Sequence, residues 1–160
     1  MRIRLSFLFF LFFFSCVSKK ETNNSYNYEN DYWTNNLDEI ELVMSYVISL
    51  DDYKKMLKLD DIEKVKFLDE YWKALDPTPD TSDNELLDEL NGRVLESKNL
   101  FSGFDGGLFS DRAKIYIIYG APNNEYKTYL DNYELITWNY KTGYEFNFIS
   151  DSFGRYKLQN

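Results

Sequence analysis

Apolar positions along this chain follow three successive patterns. Leu5 to Phe14 is a dense run, apolar at every position but Ser6. From Leu37 to Phe101 the spacing is helical. After Gly103–Gly107 it shifts toward a period of two. Leu42, Val43, Tyr46 and Val47 recur at three- and four-residue steps and predict a first helix, although Val47-Ile48 is β-branched enough to be extended instead. Ser49 opens an S-x-x-D cap for a short helix carrying Tyr53, Met56 and Leu57, and Asp60 with Glu63 opens another. The helix after that places Ile62, Val65, Leu68, Trp72 and Leu75 on one stripe. Asp76-Pro77-Thr78-Pro79 ends it, because proline lacks the N–H and restricts its predecessor. Ser82 with Glu85 reads as a capping box for a fourth helix presenting Leu87, Leu90, Val94 and Phe101, with Arg93 beside the stripe.

Beyond the glycine-rich turn, Ala113 to Tyr119 (AKIYIIY) is apolar on both faces and predicts a central strand ended by Gly120-Ala121-Pro122. Tyr133 to Tyr140 and Tyr144 to Ile149 predict two more, joined at Lys141-Thr142-Gly143, and Phe153 to Leu158 a short fourth. Helices first and strands after predict an α+β domain over residues 37–160. Its N-terminal helices would pack on one face of a C-terminal three- to four-stranded antiparallel meander. No internal repeat is visible.

Residues 1–16 carry a different message. Arg2 and Arg4 precede the apolar run, and Ser15-Cys16 follows it. Ten residues are too few for a bilayer core of about 30 Å, which takes about 20, so residues 1–15 read as a removable signal. Cys16 is the sole cysteine and has no partner for an intramolecular disulfide. The arrangement resembles the lipobox of bacterial lipoproteins, with Phe13 where that motif usually has Leu. The resemblance implies a lipid on Cys16 and a membrane anchor through it. Val17 is not the aspartate that retains some lipoproteins in the inner membrane. The expected address is therefore the outer membrane, with the leaflet left open. Residues 17–36 hold six Asn and almost no aliphatic side chain, so residues 16–36 read as a lipidated, flexible tether. Tyr32-Trp33 within it is expected to be an early packing contact rather than a headgroup anchor.

Composition narrows the chemistry. Without residues 1–15 the net charge falls from −9 to −11, since that segment holds two arginines and no acid. An acidic chain without a basic stripe does not suit nucleic acid. With no histidine, and no cysteine beyond Cys16, the chain lacks the commonest general base and the usual ligands of zinc, haem and iron–sulfur centres. No Gly-rich phosphate loop, nucleophile elbow or D-x-D-x-D-G calcium loop occurs. No metal or other cofactor is expected.

Gly107-Leu108-Phe109-Ser110-Asp111-Arg112, leading into Ala113-Lys114-Ile115-Tyr116-Ile117-Ile118-Tyr119-Gly120-Ala121-Pro122, resembles the signature of the GWxTD domain, a G-W-x-T-D-R followed by I-Y-I-x-Y-G-x-P. Leu108 stands where that signature has Trp, and Ser110 where it has Thr. Phe67-Leu-x-x-Tyr-Trp72, Asp76-Pro-Thr-Pro79, Asn84-Glu85, Arg93-Val94, Glu134, Trp138, Tyr140, Phe146 and Gly154 extend the likeness over residues 67–158. The family comprises bacterial envelope proteins. The resemblance implies export and brings no activity with it.

Asp111-Arg112 is the sharpest constellation. On an extended backbone the two side chains point to opposite faces, so each needs another partner. Asp76, Glu85 and Arg93 are the candidates, with Asp76 or Glu85 expected on Arg112. The set suits either a pocket for a ligand carboxylate or phosphate or a structural network tying the strand to two helices, and the second reading is favoured. Asp76 and Glu85 also make a conceivable carboxylate pair for glycoside hydrolysis, but Asp76 is better explained as a helix stop. The aromatics of residues 133–148 suit a surface platform or a core. Three function classes remain: a non-catalytic lipoprotein that binds another envelope protein, a glycan- or anion-binding module, and a carboxylate hydrolase. The first leads.

Overall fold

A computed structural model describes residues 32–159. Five helices precede a four-stranded antiparallel sheet in the order β1-β2-β3-β4, the α+β arrangement that the change of period predicts. The helices are α1 (Leu37–Val47), α2 (Leu50–Met56), α3 (Asp61–Leu75), α4 (Glu85–Leu100) and α5 (Asp111–Tyr119). The strands are β1 (Asn124–Leu130), β2 (Tyr133–Asn139), β3 (Glu145–Ser150) and β4 (Tyr156–Leu158). Cys16, the signal-like segment and all of the tether up to residue 31 lie outside the described residues.

Most caps fall where the sequence puts them. Ser49 accepts from the Asp52 N–H at 3.1 Å, and Asp60 and Glu63 form a reciprocal capping box. The cap of α4 is Asn84 rather than Ser82. Its side-chain oxygen takes the Leu87 N–H at 3.1 Å while its amide donates to the Trp72 carbonyl at 2.8 Å. A serine hydroxyl reaching for the helix start could not also make that link to α3. In α3 the buried stripe is Val65, Leu68 and Trp72, whereas Ile62 and Leu75 lie exposed at the two ends.

The largest departure is residues 113–119, which form α5 and not a strand. Ser110 caps it and Gly120, at φ 77°, ends it. Apart from the exposed Lys114, the segment is apolar on more than one side because it is a helix packed between two cores. Ile117 joins a helical core with Val43, Met44, Leu68, Trp72 and Val94. Ala113, Ile115 and Tyr116 face a second core with Phe101, Ile136, Trp138 and Phe148 of the sheet. So α5 is the layer between the other helices and the strands. The short strand expected over 153–158 forms as β4, and the strand that takes the place of 113–119 in the sheet is β1, joined to β2 through Asp131-Asn132, with Asp131 at φ 55°. Every residue of β1 is exposed.

The start of the domain also shifts. Tyr32 is buried against the helical core and Trp33 packs beside it. Asn36 caps α1 by accepting from Asp38 at 3.0 Å. Residues 32–36 therefore belong to the folded unit rather than to a tether.

Candidate binding surface

Two 3-10 turns, Gly103–Asp105 and Gly107–Phe109, carry the chain from α4 to α5. Gly106 and Gly107 hold φ of 105° and 61°, the left-handed region that glycine adopts without strain. Asp105 is thereby turned inward, with its side chain 4 % exposed. One of its oxygens takes Arg112 Nε at 2.8 Å and the other takes the Tyr156 N–H at 2.9 Å. The Arg112 guanidinium lies 3.9 Å over the Tyr156 ring and 5.0 Å from the Phe101 ring. Asp111, in the first turn of α5, accepts the Leu158 N–H at 2.9 Å. Two carboxylates thus receive the N–H groups of Tyr156 and Leu158, and the outer side of β4 is closed.

The expected pairing of Arg112 with Asp76 or Glu85 is not what forms. Helical geometry at residues 111–112, instead of extended geometry, turns Arg112 back onto the glycine-rich turn. Asp105 is the partner that the sequence reading missed. Its only signal was an acid among glycines seven residues before the arginine. Asp76 and Glu85 both bond to Thr78, through its N–H at 2.9 Å and its hydroxyl at 2.6 Å, and so stitch the turn between α3 and α4. Arg93 stands apart from both groups. It donates to the carbonyls of Ile117 and Ile118 at 3.2 and 2.9 Å, capping the end of α5. Its other side bonds Glu89, at 2.6 Å from Nη2. The five residues therefore fall into three structural groups. Among the described residues, no three carboxylates converge as a cation site.

What the joint leaves outside is more informative for recognition. Phe104 is 83 % exposed, Phe109 76 % and Phe153 69 %, and all three line one depression of about 500 Å³. Arg155 and Lys157 complete its rim, and Arg155 lies 5.7 Å from the Phe153 ring centre. Asp151, close to both cations, accepts the Phe153 and Arg155 N–H groups, and these bonds hold its carboxyl below the usual range. At the far end of α5, Tyr119, Tyr140, Tyr144 and Phe146 cluster with ring centres 5.0–6.2 Å apart. Tyr140 donates to the Gly120 carbonyl at 2.9 Å, and burial raises its phenol well above the ordinary value. This second cluster fixes the end of α5 to β3 more than it offers a platform.

The model of the GWxTD domain matches residues 11–159. The chain belongs to the GWxTD domain family. No curated protein and no solved structure matches it.

The GWxTD signature can now be read position by position in this chain. Gly107 supplies the left-handed turn. Leu108, in place of Trp, is buried in the helical core, and its carbonyl accepts the Tyr46 hydroxyl at 3.0 Å. Phe109, the variable position, points to solvent. Ser110, in place of Thr, caps α5 through the Ala113 N–H at 3.0 Å, a task that either hydroxyl performs. Asp111 and Arg112 close β4. Here the GWxTD motif is a joint between layers, and its one outward side chain contributes to the Phe-lined depression.

Proposed function

We propose that this protein is a non-catalytic, outer-membrane lipoprotein, anchored through Cys16, whose domain binds another protein of the cell envelope. The observation that carries this reading is the depression ringed by Phe104, Phe109 and Phe153 with Arg155 and Lys157 on its rim. Three large apolar side chains held outward by three separate turns gain nothing for the monomer. Contiguous exposed aromatics of this kind mark recognition surfaces. Two cations beside them, on a chain of net charge −9, select for acid. The expected partner segment therefore combines aromatic or aliphatic side chains with carboxylates.

A glycan- or anion-binding module is the second reading, favoured by Arg155 over the Phe153 ring. The hydrolase reading has less support, because Asp76 and Glu85 are engaged by Thr78 in a turn.

The test is a photo-reactive side chain at Phe109 in the full chain, cross-linked in intact envelopes and analysed by mass spectrometry. A discrete protein adduct is expected, lost when Phe104 and Phe153 are both changed to Ser while circular dichroism is unchanged. An adduct that survives those changes would move the binding surface elsewhere. Replacing Cys16 with Ala should release the protein from the membrane fraction, and lipid-labelled Cys16→Ala protein would overturn the anchor.

A further inference from the structure

We infer that β1 is a self-association edge, on which a second copy of this chain adds its own β1 in antiparallel register centred on Tyr126. The strand is seven residues long, contains no proline and no bulge, and is exposed along its whole length. Only β2 packs on it extensively among the described residues. Such an edge is a template for another strand unless something blunts it.

The hydrogen-bonding groups available there follow from the hairpin. A two-residue turn closes on Leu130 and Tyr133, which makes that pair a hydrogen-bonded one. Alternation along an antiparallel ladder then turns Leu130, Thr128, Tyr126 and Asn124 toward β2. The N–H and C=O groups of Glu125, Lys127 and Tyr129 point outward. The Glu134 N–H, opposite Tyr129, indeed points away from β1 and bonds Ser150 at 2.9 Å.

Antiparallel pairing of two such edges requires a two-fold axis passing through a residue, so few registers exist. An axis at Lys127 sets two lysines opposite each other, which is repulsive. An axis at Thr128 pairs Lys127 with Tyr129 and sets Glu125, which within its own chain accepts Trp138 Nε1 at 2.8 Å, opposite the like-charged Asp131. An axis at Tyr126 pairs Glu125 of each copy with Lys127 of the other, twice, using the outward-pointing groups of both. The two Tyr126 side chains then meet in a non-hydrogen-bonded pair, whose Cα atoms are about 4.5 Å apart. Of these three registers, charge selects the one centred on Tyr126. The paired stretch, residues 124–128, is short, so the association is weak at dilution and needs trapping. It closes under two-fold symmetry and leaves no free copy of this edge.

The experiment is disulfide trapping of the full chain under mild oxidation, with the wild-type chain, which has Cys16 alone, as background. Tyr126→Cys should give a covalent dimer rapidly, because residue 126 faces itself. Thr128→Cys should give little, because residue 128 faces Asn124. Added to Tyr126→Cys, Lys127→Glu should slow trapping about tenfold or more, through two like-charge pairs, while Lys127→Arg leaves it unchanged. The Lys127 side chain is 56 % exposed, so neither change threatens the fold. Trapping at residue 126 no faster than background, faster trapping at residue 128, or indifference to Lys127→Glu would each overturn the proposal.

Discussion

The two edges of the sheet face opposite demands and meet them differently. At β4 the outward N–H groups of Tyr156 and Leu158 are received by Asp105 and Asp111 at 2.9 Å each. At β1, three strand spacings away or about 14 Å, no element beyond β2 among the described residues packs extensively on an exposed seven-residue strand. Closing β4 uses carboxylates held by the glycine turns and by the first turn of α5, together with an arginine between two aromatic rings. That is most of the GWxTD signature. The conspicuous charged residues are thereby committed to architecture, and the outward-facing Phe104 and Phe153 are side chains that no motif singles out.

If the β4 edge is closed by a buried charge network and the β1 edge carries only surface charge, removing one cation from each should differ sharply. Arg112 is 15 % exposed and its partner Asp105 4 %. Arg112→Met strands that carboxylate, an expected loss of about 3–5 kcal/mol. Lys127 and Glu125, 3.4 Å apart, are much more exposed, and Lys127→Met should cost less than about 1 kcal/mol. Urea unfolding of both variants, with unchanged slopes, measures the contrast. Equal losses would mean that the Arg112 network is solvated in practice.

How much of this could be read from the chain depends on where each segment's apolar side chains go. The caps of α2 and α3 were legible because a cap is a local device, complete within four residues. The strands β2 and β3 were legible because one face is buried and the other is not. AKIYIIY was misread because α5 is covered by helices on one side and the sheet on the other, and a short apolar run loses the period that distinguishes helix from strand. Ser110 and Gly120, the cap and the stop, were the signals to weigh instead. NEYKTYL was passed over for the opposite reason: with neither face buried, β1 has no apolar alternation to show. Arg112 was rightly seen as needing an acid, but its partner followed from the backbone at residues 111–112, so that error came from the same segment.

A smaller effect isolates one hydrogen bond of the closed edge. Asp111→Ala removes the acceptor of the Leu158 N–H, an expected loss of about 1–3 kcal/mol for a backbone donor left unsatisfied. Asp111→Asn keeps an acceptor oxygen and should recover most of that loss. Amide exchange at Leu158 is the direct readout, faster in Asp111→Ala than in Asp111→Asn. Equal exchange in the two would show that water satisfies the donor and that the edge is not sealed.

A still smaller effect at the closed edge lies in β4 itself, at Tyr156, whose ring carries the Arg112 guanidinium and whose hydroxyl donates to Glu134 at 2.7 Å. Burial foremost, then the bond to Glu134, pushes its phenol up to about 12, and burial and Glu96 do the same for Tyr116. A phenol near 10 in the unfolded chain and near 12 in the folded one binds its proton more tightly when folded. Its contribution is therefore complete below about pH 10 and disappears as the pH rises toward 12. Tyr156→Phe removes the hydroxyl and should cost only about 0.5–1.5 kcal/mol at pH 7, the worth of one hydrogen bond. Between pH 10 and 12 that gap should shrink, because the wild type loses a contribution that the variant never had. Urea midpoints at pH 7, 10 and 11.5 test this. A constant difference across that range would mean that the phenol titrates normally, and that the face of β4 beneath Arg112 is open to water.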